Sequence, residues 1–193
     1  MQRVTIILGV DLLKNKKANP LAIFKGNTER SIKKINSKCN KTYQRNAWCT
    51  ETEFIEFISS LPKDKKILLI CDNFKAHKTE TVLKFLENEY PLLKIKYLPP
   101  NTTSILQPLD VGINKTFKSY IKKKYIEWLY EYYEANKKIP KFKITERSNL
   151  FLSWISESWK EINNELIQNS FKFCGYLNPK EKYDWEKFYV DNK

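Results

Sequence analysis

Two aspartates stand where chemistry could be done. Asp72 directly follows the apolar run 67–71, Ile-Leu-Leu-Ile-Cys. A run that is apolar at every position suits a strand buried on both faces of a parallel or mixed sheet. Enzymes built on such sheets place their sites at the carboxyl ends of the strands. Asp110 closes the loop Leu98-Pro-Pro-Asn-Thr-Thr-Ser-Ile-Leu-Gln-Pro-Leu-Asp-Val-Gly112, where a long helical pattern begins. Carboxylates from separate elements can converge on Mg²⁺ or Mn²⁺, hard cations that prefer oxygen ligands. Two such ions about 3.5–4 Å apart activate a water or hydroxyl and stabilise the leaving oxygen in phosphodiester chemistry. The same residues have an ordinary reading, in which Asp72 opens a turn before Asn73 and Asp110 caps a helix. Spacing alone leaves both readings open.

The elements that would position these groups follow from periodicity. Residues 4–10 form a β-branched, apolar stretch of strand length, and 20–24 read as a second strand, the two making a hairpin around a Lys-rich turn. Residues 25–46 are basic and irregular, with Lys33, Lys34, Lys38, Lys41 and Arg45. Thr50-Glu-Thr-Glu53 is a capping-box pattern opening a helix that carries Phe54, Ile55, Phe57 and Ile58 and stops at Leu61-Pro62. Strand 67–71, helix 79–90 and strand 93–98 make a βαβ crossover. A long helix over 111–133 bears the apolar stripe Ile113, Phe117, Ile121, Trp128 and Tyr132. Lys115, Lys118 and Lys122 share another face of it. Two further helices are expected over 150–164 and 166–174, with Gly175 as a stop.

Composition narrows the class. Lys and Arg total 35 against 22 Asp and Glu, a net charge of +13 in 193 residues. That excess favours a polyanionic partner, nucleic acid before an anionic membrane, although a Lys-rich coding bias would produce it too. Cys39, Cys49, Cys71 and Cys174 lack paired CxxC spacing, and with His77 as the one histidine a structural zinc site is not expected. No window reaches the ~18 apolar residues of a membrane span, and the start lacks a signal-peptide layout, so an intracellular, soluble chain is expected.

Three motifs in order carry a resemblance. They are Leu68-Leu-Ile-Cys-Asp-Asn-Phe-Lys-Ala-His77, Tyr97-Leu-Pro-Pro-Asn-Thr-Thr-Ser104 and Gln107-Pro-Leu-Asp-Val-Gly112. Together they resemble the DDE superfamily endonuclease domain of pogo, Tigger and jerky-type transposases and their centromere protein B-like relatives. Weaker similarity reaches Arg3-Val-Thr-Ile-Ile-Leu8, Asn46-Ala-Trp48, Trp154 and the closing Ile167-x-Asn-x-Phe-x-x-Cys-Gly175, and so covers nearly all of 3–175. The resemblance implies an α/β, RNase H-like fold, a mixed central sheet flanked by helices, followed by C-terminal helices. It implies Asp72 and Asp110 as the second and third metal-binding, catalytic carboxylates, with Asn73, His77 and Gln107 lining the site. It also implies a Mg²⁺ or Mn²⁺ cofactor, in a two-metal site if the site is complete, a DNA partner and a nuclear location.

The pattern departs from the family at the start. The family's first carboxylate lies on a strand ahead of the Arg3-Val-Thr strand, central in the sheet, and neither Asp11 nor Glu29 replaces it. Strands 4–10 and 67–71 are then expected to pair with each other, leave a gap or recruit another strand. Little or no strand-transfer activity is expected of the chain as written. The alternative is a non-catalytic, DNA-backbone-binding module domesticated from a transposon, using Lys115, Lys118, Lys122, Lys123 and Lys124. A third reading makes Trp128, Tyr130, Tyr132 and Tyr133 an oligomer surface, compatible with a homo-oligomer. The expected organisation is an RNase H-like domain over 1–135, incomplete at its N-terminus, a helical extension of the same domain over 136–176, and a tail over 177–193.

Overall fold

In the computed structural model, which describes residues 3–12, 16–28, 32 and 39–176, the first strands form the expected antiparallel pair. Strand β1 (Val4–Ile7) runs against β4 (Leu21–Lys25), with Val4 opposite Phe24 and Ile7 opposite Leu21. The 4–10 stretch does not continue as one strand. It breaks at Leu8-Gly9, and β2 (Val10–Asp11) then pairs with β3 (Lys16–Lys17) as a separate small ribbon. Gly9 suits the corner: a Cβ there would stand 2.9 Å from Phe57 Cζ, so any larger residue would force that ring to shift.

Residues 25–46 hold a strand that their polarity conceals. In β5 (Asn40–Gln44), Asn-Lys-Thr-Tyr-Gln lies parallel to β4, Leu21 opposite Asn40 and Lys25 opposite Gln44. Its partner supplies the apolar side chains, since Leu21, Ala22, Ile23 and Phe24 are all buried. The rest of that basic stretch, apart from buried Ile32, lies outside the described residues, as does the tail 177–193.

The βαβ unit forms as its periodicity predicts. Helix α1 (Glu51–Ser59) opens on the capping box, the Thr50 backbone N–H donating to Glu53 Oε2 at 2.9 Å. Strand β6 (Ile67–Cys71) leads through a 3₁₀ turn (Lys75–His77) to α2 (Glu80–Glu89), whose N-cap Thr79 accepts from the Val82 amide. Strand β7 (Leu93–Tyr97) then returns parallel to β6, Ile67 opposite Leu93 and Cys71 opposite Tyr97. Phe54 and Ile58 of α1, Val82 and Leu86 of α2, Tyr90 and Leu93 make one apolar cluster against this pair.

Beyond β7 the described residues are mainly helical. A short α3 (Thr103–Leu106) and a π turn (Leu109–Ile113) lead into α4 (Asn114–Asn136). Two more helices follow, α5 (Ile144–Glu161) and α6 (Asn164–Phe173). The fifth begins six residues before the expected 150, because Glu146 reaches back to the Lys143 amide and caps an earlier first turn. The π turn and helices α4, α5 and α6 lay Ile113, Phe117, Leu152, Ile155, Trp159, Ile167 and Phe171 on Ala22 and Phe24 of the first sheet, a second apolar cluster.

The two larger sheets do not merge. Their orders are β1-β4-β5 and β6-β7, so of the three expected outcomes for strands 4–10 and 67–71 the described residues show the gap. Strand β6 also departs from the expectation of burial on both faces: Leu68 is 64% exposed.

Candidate nucleic-acid site around Asp72

Asp72 leaves the carboxyl end of β6 with its side chain 38% exposed. Its Oδ1 accepts from the Phe74 amide at 3.2 Å, an Asx-type turn, and lies 3.0 Å from His77 Nδ1. That second contact is an ion-pair distance without hydrogen-bond alignment, since Nδ1 is otherwise buried and unpartnered. The His77 imidazole beside it, with help from the Phe74 amide, holds the Asp72 carboxyl below its ordinary value, and partial burial opposes them. At neutral pH the group is therefore a carboxylate.

His77 is itself fixed from three sides. The Phe54 ring of α1 covers it at a centroid distance of 4.1 Å, and Phe74 meets it edge-on at 5.5 Å. The Tyr97 hydroxyl of β7 donates to the His77 carbonyl at 2.7 Å. The 3₁₀ turn from Lys75 to His77 is what folds the imidazole back onto Asp72. Phe54, Phe74 and Tyr97 are parts of the site that spacing did not single out. The available signals were an aromatic in the first turn after a capping box and another within the Asp72–His77 motif.

Asn73 is half-buried beside Asp72. Asp110 is exposed in the π turn, and its Oδ1 accepts from Asn114 Nδ2 at 2.8 Å. The Gln107 carbonyl accepts from the Asp110 and Val111 amides at the start of that turn, while Gln107 Oε1 is buried without a hydrogen-bond partner. Asn101 takes the left-handed conformation at φ 63°, and Thr102 Oγ1 donates to the Pro99 carbonyl at 2.8 Å, so the proline loop is locally self-satisfied.

Asp72, an ionised oxygen donor, has the chemistry that a divalent cation selects. In number the donors do not fit. Among the described residues no group of three or more His, Cys, Asp and Glu side chains is placed to hold a metal ion.

On α4, Lys115, Lys118, Lys122 and Lys123 are exposed. Lys124 faces the other way and is held by Glu161 at 2.6 Å and Glu157 at 3.4 Å, both from α5. The aromatic set of α4 divides likewise. Trp128 packs on Trp154, Phe142 and Tyr132, whereas Tyr130 and Tyr133 stand exposed. Among the described residues no helix is long and apolar enough to cross a membrane.

The described residues thus define a mixed α/β domain with an ionised aspartate at the carboxyl end of a parallel strand. The chain belongs to the DDE superfamily endonucleases, whose family model matches residues 1–171. Members of that superfamily are in general dependent on divalent metal. The chain is 29% identical over 200 residues to the human "Pogo transposable element with KRAB domain", covering 95% of this chain and 31% of that protein. It is 30% identical over 185 residues to the mouse protein of the same name, covering 89% of this chain and 29% of the relative. "CENP-B homolog protein 2" of Schizosaccharomyces pombe (strain 972 / ATCC 24843) is 29% identical over 133 residues, 67% of this chain and 25% of the relative. The chain therefore spans about a third or less of the length of these relatives. No solved structure gives a significant match.

Proposed function

We propose that this chain is the DNA-binding body of a transposase-derived endonuclease domain, and that by itself it cuts or joins DNA weakly or not at all. The observation carrying the reading is the state of Asp72. It is held ionised at the strand end where phosphodiester chemistry needs it, yet no described group of three ligands surrounds it. One carboxylate with a neighbouring imidazole holds a hard cation loosely and fixes its geometry poorly. Asp72 and Asp110 act as metal ligands only when a further carboxylate joins them, with Asn73, His77 and Gln107 shaping the surroundings. Mg²⁺ or Mn²⁺, as a pair of ions in the completed site, is the cofactor that fits such oxygen donors.

The reading extends to the fold. In an RNase H-like arrangement an additional strand would lie between β1 and β6, and the unmerged sheets of the described residues support that arrangement. Residues 1–135 and 136–176 act as one domain, because α5 and α6 complete the apolar cluster of the first sheet. DNA is met through phosphates, with Lys115, Lys118, Lys122 and Lys123 as contacts and Lys124 contributing least because Glu157 and Glu161 already neutralise it. Such binding is weakly sequence-specific and strongly salt-dependent, and a nuclear location accords with it.

Plasmid nicking by the purified chain in Mg²⁺ or Mn²⁺, beside Asp72→Ala and Asp110→Ala, tests the reading. The expected result is no nicking while DNA is retained at low salt. Robust nicking abolished by both substitutions would show a site that assembles without a further carboxylate, and would overturn it.

A further inference from the structure

Two aromatic side chains on segments that build the candidate site stand exposed: Phe74, whose amide binds the Asp72 carboxylate, and Trp48, 51% exposed just ahead of α1. Trp48 is presented by a tightly built corner. Gln44 Oε1 accepts from the backbone amides of both Asn46 (2.7 Å) and Trp48 (3.0 Å), and the Gln44 carbonyl accepts from Ala47. Ala47 between them is fully buried and left-handed at φ 54°, a conformation unfavourable to any residue with a Cβ. Its carbonyl is secured by Thr5 Oγ1 of β1 at 2.6 Å. Such strain persists only where the surroundings over-determine it, and here they fix the direction in which the next residue, Trp48, leaves the backbone. The guanidinium of Arg3, exposed at the start of β1, stands 5.0 Å from the Trp48 ring centroid.

The corner adjoins the candidate site. Trp48 is two residues ahead of the N-cap of α1, and that helix sends Phe54 onto His77, which in turn touches Asp72. Cys49, the residue between, feels the Asp72 charge: burial, then Glu53, then Asp72 push its thiol up to about 12.

An indole displayed on a rigid corner with a cation on its face suits a nucleotide, because every base has a π-face to stack and a phosphate to neutralise. We propose that Trp48 is a stacking platform for an unpaired base of bound DNA, with Arg3 holding the adjoining phosphate. This rests on the DNA-binding reading above and adds a preference for frayed or single-stranded ends over intact duplex. The indole, rather than Phe74, is the residue to vary, because Phe74 also packs on His77.

The test is fluorescence anisotropy at low salt with two labelled probes of equal duplex length, one blunt and one carrying a short 3′ single-stranded overhang. Wild type is compared with Trp48→Ala, Trp48→Phe and Arg3→Gln, each checked for an unchanged circular-dichroism spectrum. Trp48→Ala is expected to weaken overhang binding about ten-fold or more, in line with the known effect of removing a stacking aromatic, and to change blunt-duplex binding less than about two-fold. Trp48→Phe restores most of the affinity. Arg3→Gln lowers the salt slope by about one phosphate contact. An equal loss on both probes, or none on either, would overturn the stacking role while leaving DNA binding in place. Failure of wild type to bind either probe would remove both readings together.

Discussion

Lys17 offers the sharpest test of the packing. It reaches from β3 to the end of α5, where its ammonium donates to the carbonyls of Trp159 (2.8 Å), Lys160 (2.9 Å) and Ile162 (2.6 Å). These carbonyls belong to the last turn, where no further amide of the helix can serve them and the dipole is negative. The corner is tied a second time by Trp159 Nε1–H, which donates to the Ala18 carbonyl at 2.9 Å. Lys17→Met keeps the aliphatic stem and removes the charge. A single charge-assisted hydrogen bond contributes about 1.5–3 kcal/mol net, but three sharing one donor group do not add. Burial, which lowers the affinity of the amine for its proton, subtracts further. The expected loss is about 2–3 kcal/mol. In a chain of this size that is a fall in Tm of roughly 4–12 °C, read by far-UV circular dichroism with urea melts as a check. Because the contact joins residues more than 140 positions apart, a change below about 0.5 kcal/mol would mean the ribbon β2–β3 does not dock on α5, and the reasoning fails.

Three other outcomes follow from the same geometry. Replacing Lys115, Lys118, Lys122 and Lys123 together by Gln should flatten the slope of log affinity for DNA against log salt by about 0.9 for each phosphate no longer neutralised, whereas Lys124→Gln should leave that slope nearly unchanged; equal slopes for both variants would remove α4 from the interface. Asp72 has its carboxyl held below the ordinary 3.8, so it adds stability above that pH and loses it as pH falls through the folded value. Wild type should therefore lose stability more steeply than Asp72→Asn below about pH 4, and parallel acid melts would contradict the His77 contact. Leu68→Lys, on the exposed face of the two-stranded sheet, should reduce self-association in sedimentation or light scattering while shifting Tm by less than about 2 °C; a large fall in Tm would show that Leu68 is buried.

What could be read from the sequence was whatever local chemistry dictates. The capping box at Thr50 and Glu53, the apolar spacing of α2 and the pair 67–71 and 93–97 all appear in place, because each is specified within about ten residues. Strand β5 was not legible, since Asn-Lys-Thr-Tyr-Gln becomes a strand only by accepting the backbone of β4. The break at Gly9 was hidden for a similar reason: Phe57, whose ring lies against that corner, is distant in sequence. Asp72 could be placed at a strand end from its neighbours alone. The clamp on His77 could not, because its Phe54 and Tyr97 contacts come from different elements.

On the proposed reading, the charges of the two surfaces explain why binding would persist where cutting would not. A phosphate near Asp72 meets one unneutralised carboxylate, and at about 6 Å in water that repulsion is only about 0.7 kcal/mol. Each lysine of the α4 row that meets a phosphate releases counterions, and four such contacts outweigh a single repulsion at low salt. Cutting has a different dependence, because it requires several oxygens held around a metal at once, and one missing ligand degrades both affinity and geometry. On the proposed reading, a chain with the lysine face and Asp72, whose described residues hold no three-ligand group, would keep most of its affinity for a polyanion while cutting it weakly. Adding a carboxylate beside β6 would change the second property far more than the first.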